Sequence, residues 1–513
     1  MLSDLKSTNF YVLAISSLLC LVVWYVVQRT RHELRIRKIG GVRAPSVGTN
    51  PLSGARRIAG IAKARMSMDL LSYFNGLFDH ATPECSNCVE LQVSPRERFI
   101  ITRDPEHIKT ILATKFNEYG KGPSFHRLWR PFLGDSIFTT DKDMWHQSRS
   151  LIRPMFTKDR VSNLTTMERW VSTFLTKMPP SGQTVNIMDL LYRMTLDVTT
   201  DFLLGASVNS LENPRSEFAH AFDDVQRLQV MMTDTGPFHV LVPRLRYYRG
   251  IKKIDEFVMP YIQQALALPQ EELHKYSNSD KHFTFLHNIV QHTRDPKVIR
   301  DQIVAVLLAG RDTTAATLSW AFYELCHYPS KYRRLRAEIL GAVGRARAPT
   351  YEDLKNMTYL RHTLNETLRL YPAVPYNIRT ALEDTTLPGQ PPIGVVEGDA
   401  VIYSALAMQR RADLYPAVSE TFADPATFSP ERWEHWTPRP WQYVPFNGGP
   451  RICVGQNFAL TEMAYCLVRI IQKHERLEYR GDWHAQKHQA EIVGTPSQGV
   501  PMALYEEEPG ASI

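Results

Sequence analysis

Phe446-Asn447-Gly448-Gly449-Pro450-Arg451-Ile452-Cys453-Val454-Gly455 sets one cysteine in a glycine-rich turn, with an aromatic ring and an arginine upstream of it. A thiolate inside a protein lies in low dielectric and has to be stabilised as an anion. Backbone N–H groups must therefore point at it, and glycines let the chain approach closely enough. Gly449 and Gly455 supply that freedom, Phe446 is placed to screen the sulfur from water, and Arg451 carries a permanent charge suited to a carboxylate. An isolated cysteine reads as a small buried hydrophobe. The spacing F-x-x-G-x-R-x-C-x-G reads instead as a loop that presents Cys453 to a metal.

Upstream, Asp295-Pro296 is a helix start, an N-cap followed by proline at the first helical position. Helical character then runs to about Tyr328, ahead of Pro329, long enough at roughly 50 Å to cross a whole domain. In its middle, Ala309-Gly310-Arg311-Asp312-Thr313-Thr314 brings a glycine and two threonines that weaken the helix, and Thr313 competes for a backbone carbonyl. A local opening is expected there. Trp145 and Arg149 lie four residues apart, hence on one helix face, as an N–H donor beside a guanidinium. Glu366 and Arg369 pair at i,i+3 on a helix ending near Pro372, and Pro430-Glu431-Arg432-Trp433 follows downstream.

Together these motifs resemble the cytochrome P450 family, haem-thiolate monooxygenases, over nearly the whole chain. The resemblance implies a mainly α fold with small β-sheets. It implies haem b with Cys453 as axial thiolate, and Trp145, Arg149, Arg379, Phe446, Arg451 and Gly455 around the cofactor, with Trp145, Arg149, Arg379 and Arg451 as propionate partners. It assigns Asp312 and Thr313 as the acid and alcohol that deliver protons during oxygen chemistry, a task for a solvent-linked carboxyl and a hydroxyl. It also makes Glu366, Arg369 and Arg432 a buried structural triad that must be fully satisfied to be tolerated, with Trp433 where the family commonly has phenylalanine. Electrons come by the same resemblance from NADPH through a separate flavoprotein reductase. The chain after Cys453 is too short for a flavin domain and shows no nucleotide fingerprint.

The chain has 513 residues, 43% apolar and 22% charged, with a formal charge of +7. These values are near globular averages, and mixed charges give nucleic-acid binding no support. Phe10 to Val27 is an uncharged apolar run about long enough to span a bilayer, followed by Arg29, Arg31, Arg35, Arg37 and Lys38. Trp24 and Tyr25 at its end, and the absence of a small-residue cleavage site, favour a retained single-pass anchor over a signal peptide. The basic cluster keeps the following chain in the cytosol. Residues 1–28 are thus expected as a transmembrane helix, 29–51 as a basic juxtamembrane segment and linker, and 52–513 as the catalytic domain on the endoplasmic reticulum membrane. Scattered cysteines match reduced thiols, and Cys85-x-x-Cys88 lacks the second pair that zinc needs. The three N-x-T matches, at Asn163, Asn356 and Asn365, read as chance on a cytosolic face.

Asp197 to Leu211, the 309–314 core and the cysteine loop most resemble fungal alkane and fatty-acid hydroxylases and their relatives in fungal specialised metabolism. A long aliphatic substrate is the first expectation. Oxidation of a polyketide, terpenoid or lipid-like intermediate is the alternative. Phe125, Leu128, Trp129, Val306, Ala309, Val374 and the stretch from Val493 to Val500 are candidate pocket liners. The rival from another class is a haem protein that binds without oxidising, for which an Asp312–Thr313 relay would be superfluous.

Overall fold

The computed structural model describes residues 2–48, 51–94, 97–273 and 283–507. It is mainly helical, and the helices that position the site are α1 (Leu2–Lys38), α2 (Lys142–Ile152), α3 (Ile187–Leu204), α4 (Glu217–Asp234), α5 (Pro296–His327), α6 (Thr358–Leu370) and α7 (Gln456–Lys473). A mixed sheet runs in the order Ser46–Gly48, Cys88–Ser94, Glu97–Thr102, Ala400–Ser404, Tyr376–Ala381, Tyr119–Gly120. Smaller sheets join His474–Tyr479, Pro501–Glu506 and Thr184–Asn186, and pair His488–Ala490 with Gly494–Pro496.

Helix α5 is the axis of the molecule. The Asp295 carboxylate accepts the Lys297 N–H at 2.8 Å and Pro296 opens the first turn. Buried residues then occupy every face from Ile299 to Cys326, the pattern of a helix enclosed on all sides. Its first half, through Leu308, belongs to one hydrophobic core and its second half, from Ala315, to another. The segment 309–314 therefore lies at the seam between two cores, where packing is interrupted.

The charged triad is a buried joint between α6 and the irregular segment after Arg410. Glu366 and Arg432 are 0% and 1% exposed, and Glu366 accepts hydrogen bonds from Arg369 Nε (2.7 Å) and Nη2 (2.8 Å), the Ser429 N–H (2.9 Å) and Trp433 Nε1 (3.0 Å). Arg432 Nε lies 3.5 Å away. Trp433 thus adds a donor to the joint that phenylalanine could not supply.

Of residues 29–51, expected as a basic juxtamembrane segment and linker, those from 32 to 48 are tied into the fold. Ser46–Gly48 pairs in parallel with the strand that starts at Cys88. Arg43 bonds Glu90 at 2.7 Å, His32 meets Asp399 at 2.9 Å and Arg35 meets Asp384 at 2.5 Å. Prolines and glycines masked this edge strand, whose backbone pairing needs no side-chain periodicity. Along α1 the apolar side chains Ile15, Leu18, Leu19, Leu21, Val22, Val23 and Val26 are all exposed. Among the described residues no helix is long and apolar enough to cross a membrane. The side chains from Phe10 to Ala14, the start of the expected anchor, lie outside the described residues.

Candidate active site

The cysteine loop folds back on itself before α7. The Cys453 N–H donates to the Phe446 carbonyl at 2.9 Å, closing the turn around a 3-10 segment at Gly449–Arg451. Gly449 has φ +62, and a Cβ there would meet the Leu112 carbonyl oxygen at 1.9 Å, so glycine is required. Gly455 has ordinary φ, and its part is different: its N–H is directed at the Cys453 sulfur. Burial raises the thiol pKa, while that N–H and the Arg149 charge lower it. Cys453 is nonetheless exposed by surface area, so its sulfur is accessible and recessed at once. Phe446 packs on the core beside α7.

Around the loop the structure gathers cations from separate elements. Arg451 donates to Asp141 Oδ1 at 2.7 Å and to the Thr140 carbonyl, and its guanidinium carbon lies 4.7 Å from the Trp145 ring centre. Arg149 reaches the Ile452 carbonyl at 2.9 Å from the same helix face as Trp145. Arg379, 3% exposed, comes from strand Tyr376–Ala381 and donates to the Ile378 carbonyl. Lys121 enters from a Gly-Lys-Gly loop whose N–H groups at Lys121 and Gly122 bond the two Asp141 oxygens at 2.7 and 2.8 Å. Burial pushes the Lys121 pKa far down, helped by the charges of Arg379 and Arg451. Burial together with Arg379 likewise lowers Arg451 to about 10. Of the three cations only Arg451 bonds the Asp141 carboxylate with its side chain, and Arg451 Nε has no hydrogen-bond partner among the described residues. Such an arrangement calls for an anion.

On α5, Asp312 is 5% exposed, and burial raises its pKa to about 6 against the opposing charge of Arg311. Arg311 sits 3.4 Å from Asp312 and 2.5 Å from Asp223, whose side chain reaches solvent on α4. An ionic bridge therefore links the buried carboxyl to the surface. Thr313 Oγ1 donates to the Ala309 carbonyl at 2.7 Å. The helix is continuous through 309–314, in contrast to the expected opening. The threonine back-bonds within the turn, and Thr199 of α3 packs where a side chain on Gly310 would lie, at 2.9 Å.

Comparison with known proteins places this arrangement. The family model described as cytochrome P450 matches residues 70–500. The chain belongs to the cytochrome P450 family. It is 44% identical to "Cytochrome P450 monooxygenase pvhE" of Talaromyces variabilis, over 95% of this chain and 94% of that protein. It is 40% identical to "Cytochrome P450 52A13" of Debaryomyces hansenii over 75% of this chain and 77% of that one. A solved cytochrome P450DA heme domain superposes with TM-score 0.76 at 22% identity, covering 92% of this chain and 99% of that one, which bears on the fold alone.

As a P450 the chain is a haem-thiolate monooxygenase, and its residues fit the group. The recessed, accessible sulfur of Cys453 suits an axial ligand, and the under-neutralised cations Lys121, Arg379 and Arg451 suit two propionates. Lys121 and Asp141 escaped the sequence reading. Their signal was the Gly120-Lys121-Gly122 triplet, which wraps the Asp141 carboxylate so closely that a Cβ on Gly120 would lie 2.5 Å from it. Of the expected pocket liners, Phe125 and Trp129 stack at 5.2 Å, Val306 is buried beside them in the same core, and Val493 packs with Ala316 and Ala373.

Proposed function

We propose that this P450 is a membrane-anchored enzyme that inserts one atom of O2 into a C–H bond of a long aliphatic chain, an alkane or fatty acid. Electrons come from NADPH through a separate flavoprotein reductase. The observation that carries the site assignment is the convergence of a recessed thiol, under-neutralised buried cations and a buried acid linked to solvent. Bound through Cys453, haem supplies the oxygen-activating chemistry, since a thiolate ligand favours O–O cleavage.

The chain's own residues divide the remaining work. The Gly455 N–H and the Arg149 charge favour the thiolate form of Cys453 against the burial that raises its pKa, while Phe446 fixes the loop through its carbonyl. Arg451, Arg379, Trp145 and Lys121 would hold the propionates. Asp312 holds a proton at its buried carboxyl, beside the Arg311–Asp223 ion pair that opens to solvent, and the Thr313 hydroxyl would pass it toward the reacting oxygen by turning from the Ala309 carbonyl. The apolar wall of Phe125, Trp129, Val306 and Val493 keeps water out and accepts a hydrocarbon.

The membrane part rests on α1, whose large apolar side chains from Ile15 to Val27 are mostly exposed, with Arg29, Arg31, Arg35, Arg37 and Lys38 following. Exposed Met66, Val240, Leu245 and Tyr248 add apolar surface. An endoplasmic reticulum location with the catalytic part in the cytosol follows from this polarity. A second reading, oxidation of a polyketide, terpenoid or lipid-like intermediate of fungal specialised metabolism, is favoured by coverage. Of the two relatives named above, the one outside the 52 series matches more of the chain and at higher identity. Incubating the holoenzyme with reductase, NADPH and a panel of alkanes, fatty acids and fungal metabolites decides between them. The first reading expects a hydroxylated aliphatic product that requires reductase. Absence of any reductase-dependent oxygenated product contradicts both.

A further inference from the structure

We propose that Cys85 and Cys88 form a reversible dithiol–disulfide site that hydrogen peroxide oxidises. The site lies outside the haem-binding machinery and goes beyond the substrate reading. It draws on the monooxygenase activity only for a source of peroxide, which is released whenever oxygen is reduced without product.

Cys85-Ser86-Asn87-Cys88 is a single turn with Ser86 and Asn87 at its centre. One end is fixed by a bridge between Thr82 and Cys85, in which the Cys85 N–H donates to the Thr82 carbonyl at 3.0 Å. The other end is fixed because Cys88 opens the strand Cys88–Ser94, paired opposite Thr102. Between them the Asn87 carbonyl accepts the Arg103 N–H at 3.0 Å and Thr102 Oγ1 at 3.1 Å. A β-turn holds its first and fourth Cα atoms within about 7 Å, which is also the outer limit for a disulfide. The Cys85 side chain is folded over the turn, its sulfur donating to the Cys88 carbonyl at 3.4 Å. Both cysteines belong to the core that holds Ile108, Ile111 and Leu112, Cys88 inside it and Cys85 at its margin.

Access divides the roles. Cys88 is 1% exposed, whereas Cys85 is half-buried. The hydrogen bond between the two thiols lowers the Cys85 pKa against burial, and it raises that of Cys88, which burial raises further. Asp104 and Glu90 act against the Cys85 thiolate, while Arg98 acts for that of Cys88, and neither reverses the order. Cys85 is therefore the attacking thiolate and Cys88 the thiol that resolves it. A metal is the other use of a Cys-x-x-Cys pair, but among the described residues no third histidine, cysteine or carboxylate completes a metal-holding group.

The first step is Cys85–S⁻ + H2O2 → Cys85–SOH + OH⁻, in which the sulfur loses two electrons and the peroxide O–O bond breaks. The second is Cys85–SOH + HS–Cys88 → Cys85–S–S–Cys88 + H2O, in which the Cys88 sulfur displaces the hydroxyl and its proton leaves in the water. Two thiols and one peroxide thus become one disulfide and two waters, and a small thiol reductant restores the pair.

The test is peptide mapping of the holoenzyme after brief exposure to hydrogen peroxide, with the remaining thiols blocked. Trypsin cleaving after Arg65 and Arg96 releases a peptide that holds Cys85 and Cys88 and no other cysteine. That peptide should become lighter by the mass of two hydrogens, and dithiothreitol should reverse the change. Before oxidation, iodoacetamide should label Cys85 at least about tenfold faster than Cys88. In Cys88→Ser, dimedone should trap Cys85 as its sulfenic acid, and in Cys85→Ser the peptide should stay reduced. Reductase and NADPH without a turned-over substrate should produce the same disulfide, and catalase should suppress it. In the wild type alone, whatever the variants do, a peptide that keeps both thiols overturns the inference. So does one whose Cys85 passes to sulfinic acid while Cys88 stays free. Because the peroxide is added, neither outcome depends on the substrate assigned above.

Discussion

Replacing Glu366 with glutamine isolates what the buried triad contributes. The carboxylate is wholly buried and neutralises Arg369 and Arg432 while accepting from Ser429 and Trp433. Glutamine keeps the shape but leaves two buried guanidinium charges without a counter-charge. Removing one member of such a buried set costs about 3–5 kcal/mol, a large share of a total stability of about 5–15 kcal/mol. In a urea titration followed by tryptophan fluorescence, the midpoint should fall by roughly 1 M or somewhat less. Asp224→Asn is the internal control: its partner Arg246 is 68% exposed at 2.7 Å, and such a pair is worth under about 1 kcal/mol. The pH dependence has a definite sign. Burial alone would raise the Glu366 pKa, but the two arginines hold it below its ordinary 4.5. Its contribution is therefore complete above that value and is lost as pH falls through the lower, folded-state pKa. The gap between wild type and variant should close in acid. A Glu366→Gln midpoint no lower than that of Asp224→Asn would refute the reasoning.

Thr313→Ala should leave haem content unchanged while most NADPH is spent on peroxide rather than product, measured as the product-to-NADPH ratio. Asp312→Asn should slow turnover by about 100-fold or more, and should flatten the part of the rate profile centred on the Asp312 pKa of about 6. Lys121→Met and Arg451→Met should each speed haem transfer to a stronger acceptor protein by about tenfold or more, since each removes one charge-assisted bond to a propionate. Gly449→Ala should abolish haem loading, because φ +62 and the 1.9 Å approach to Leu112 leave no room for a Cβ. Haem absorbance per protein reads that directly.

What the sequence disclosed was local. Asp295-Pro296 marked the start of α5 because capping is short-range chemistry. The cysteine loop and the Glu366–Arg369 pair were legible because their spacing is itself the geometry. Lys121 and Asp141 were not, because they meet only after a loop, a helix N-terminus and a sheet strand converge on Arg451. The strand at Ser46–Gly48 hid among prolines and glycines because it is held by backbone pairing with a partner some forty residues away. The close packing of Thr199, a residue of another helix, against Gly310 of α5 was likewise out of reach of local sequence.

The central claim is a bond between the Cys453 sulfur and haem iron, and X-ray absorption at the iron edge of the purified holoprotein tests it most directly. The account predicts a sulfur neighbour to iron in the wild type that disappears in Cys453→His, together with the loss of product formation. No sulfur neighbour to iron in the wild type, or one that survives the substitution, would contradict it.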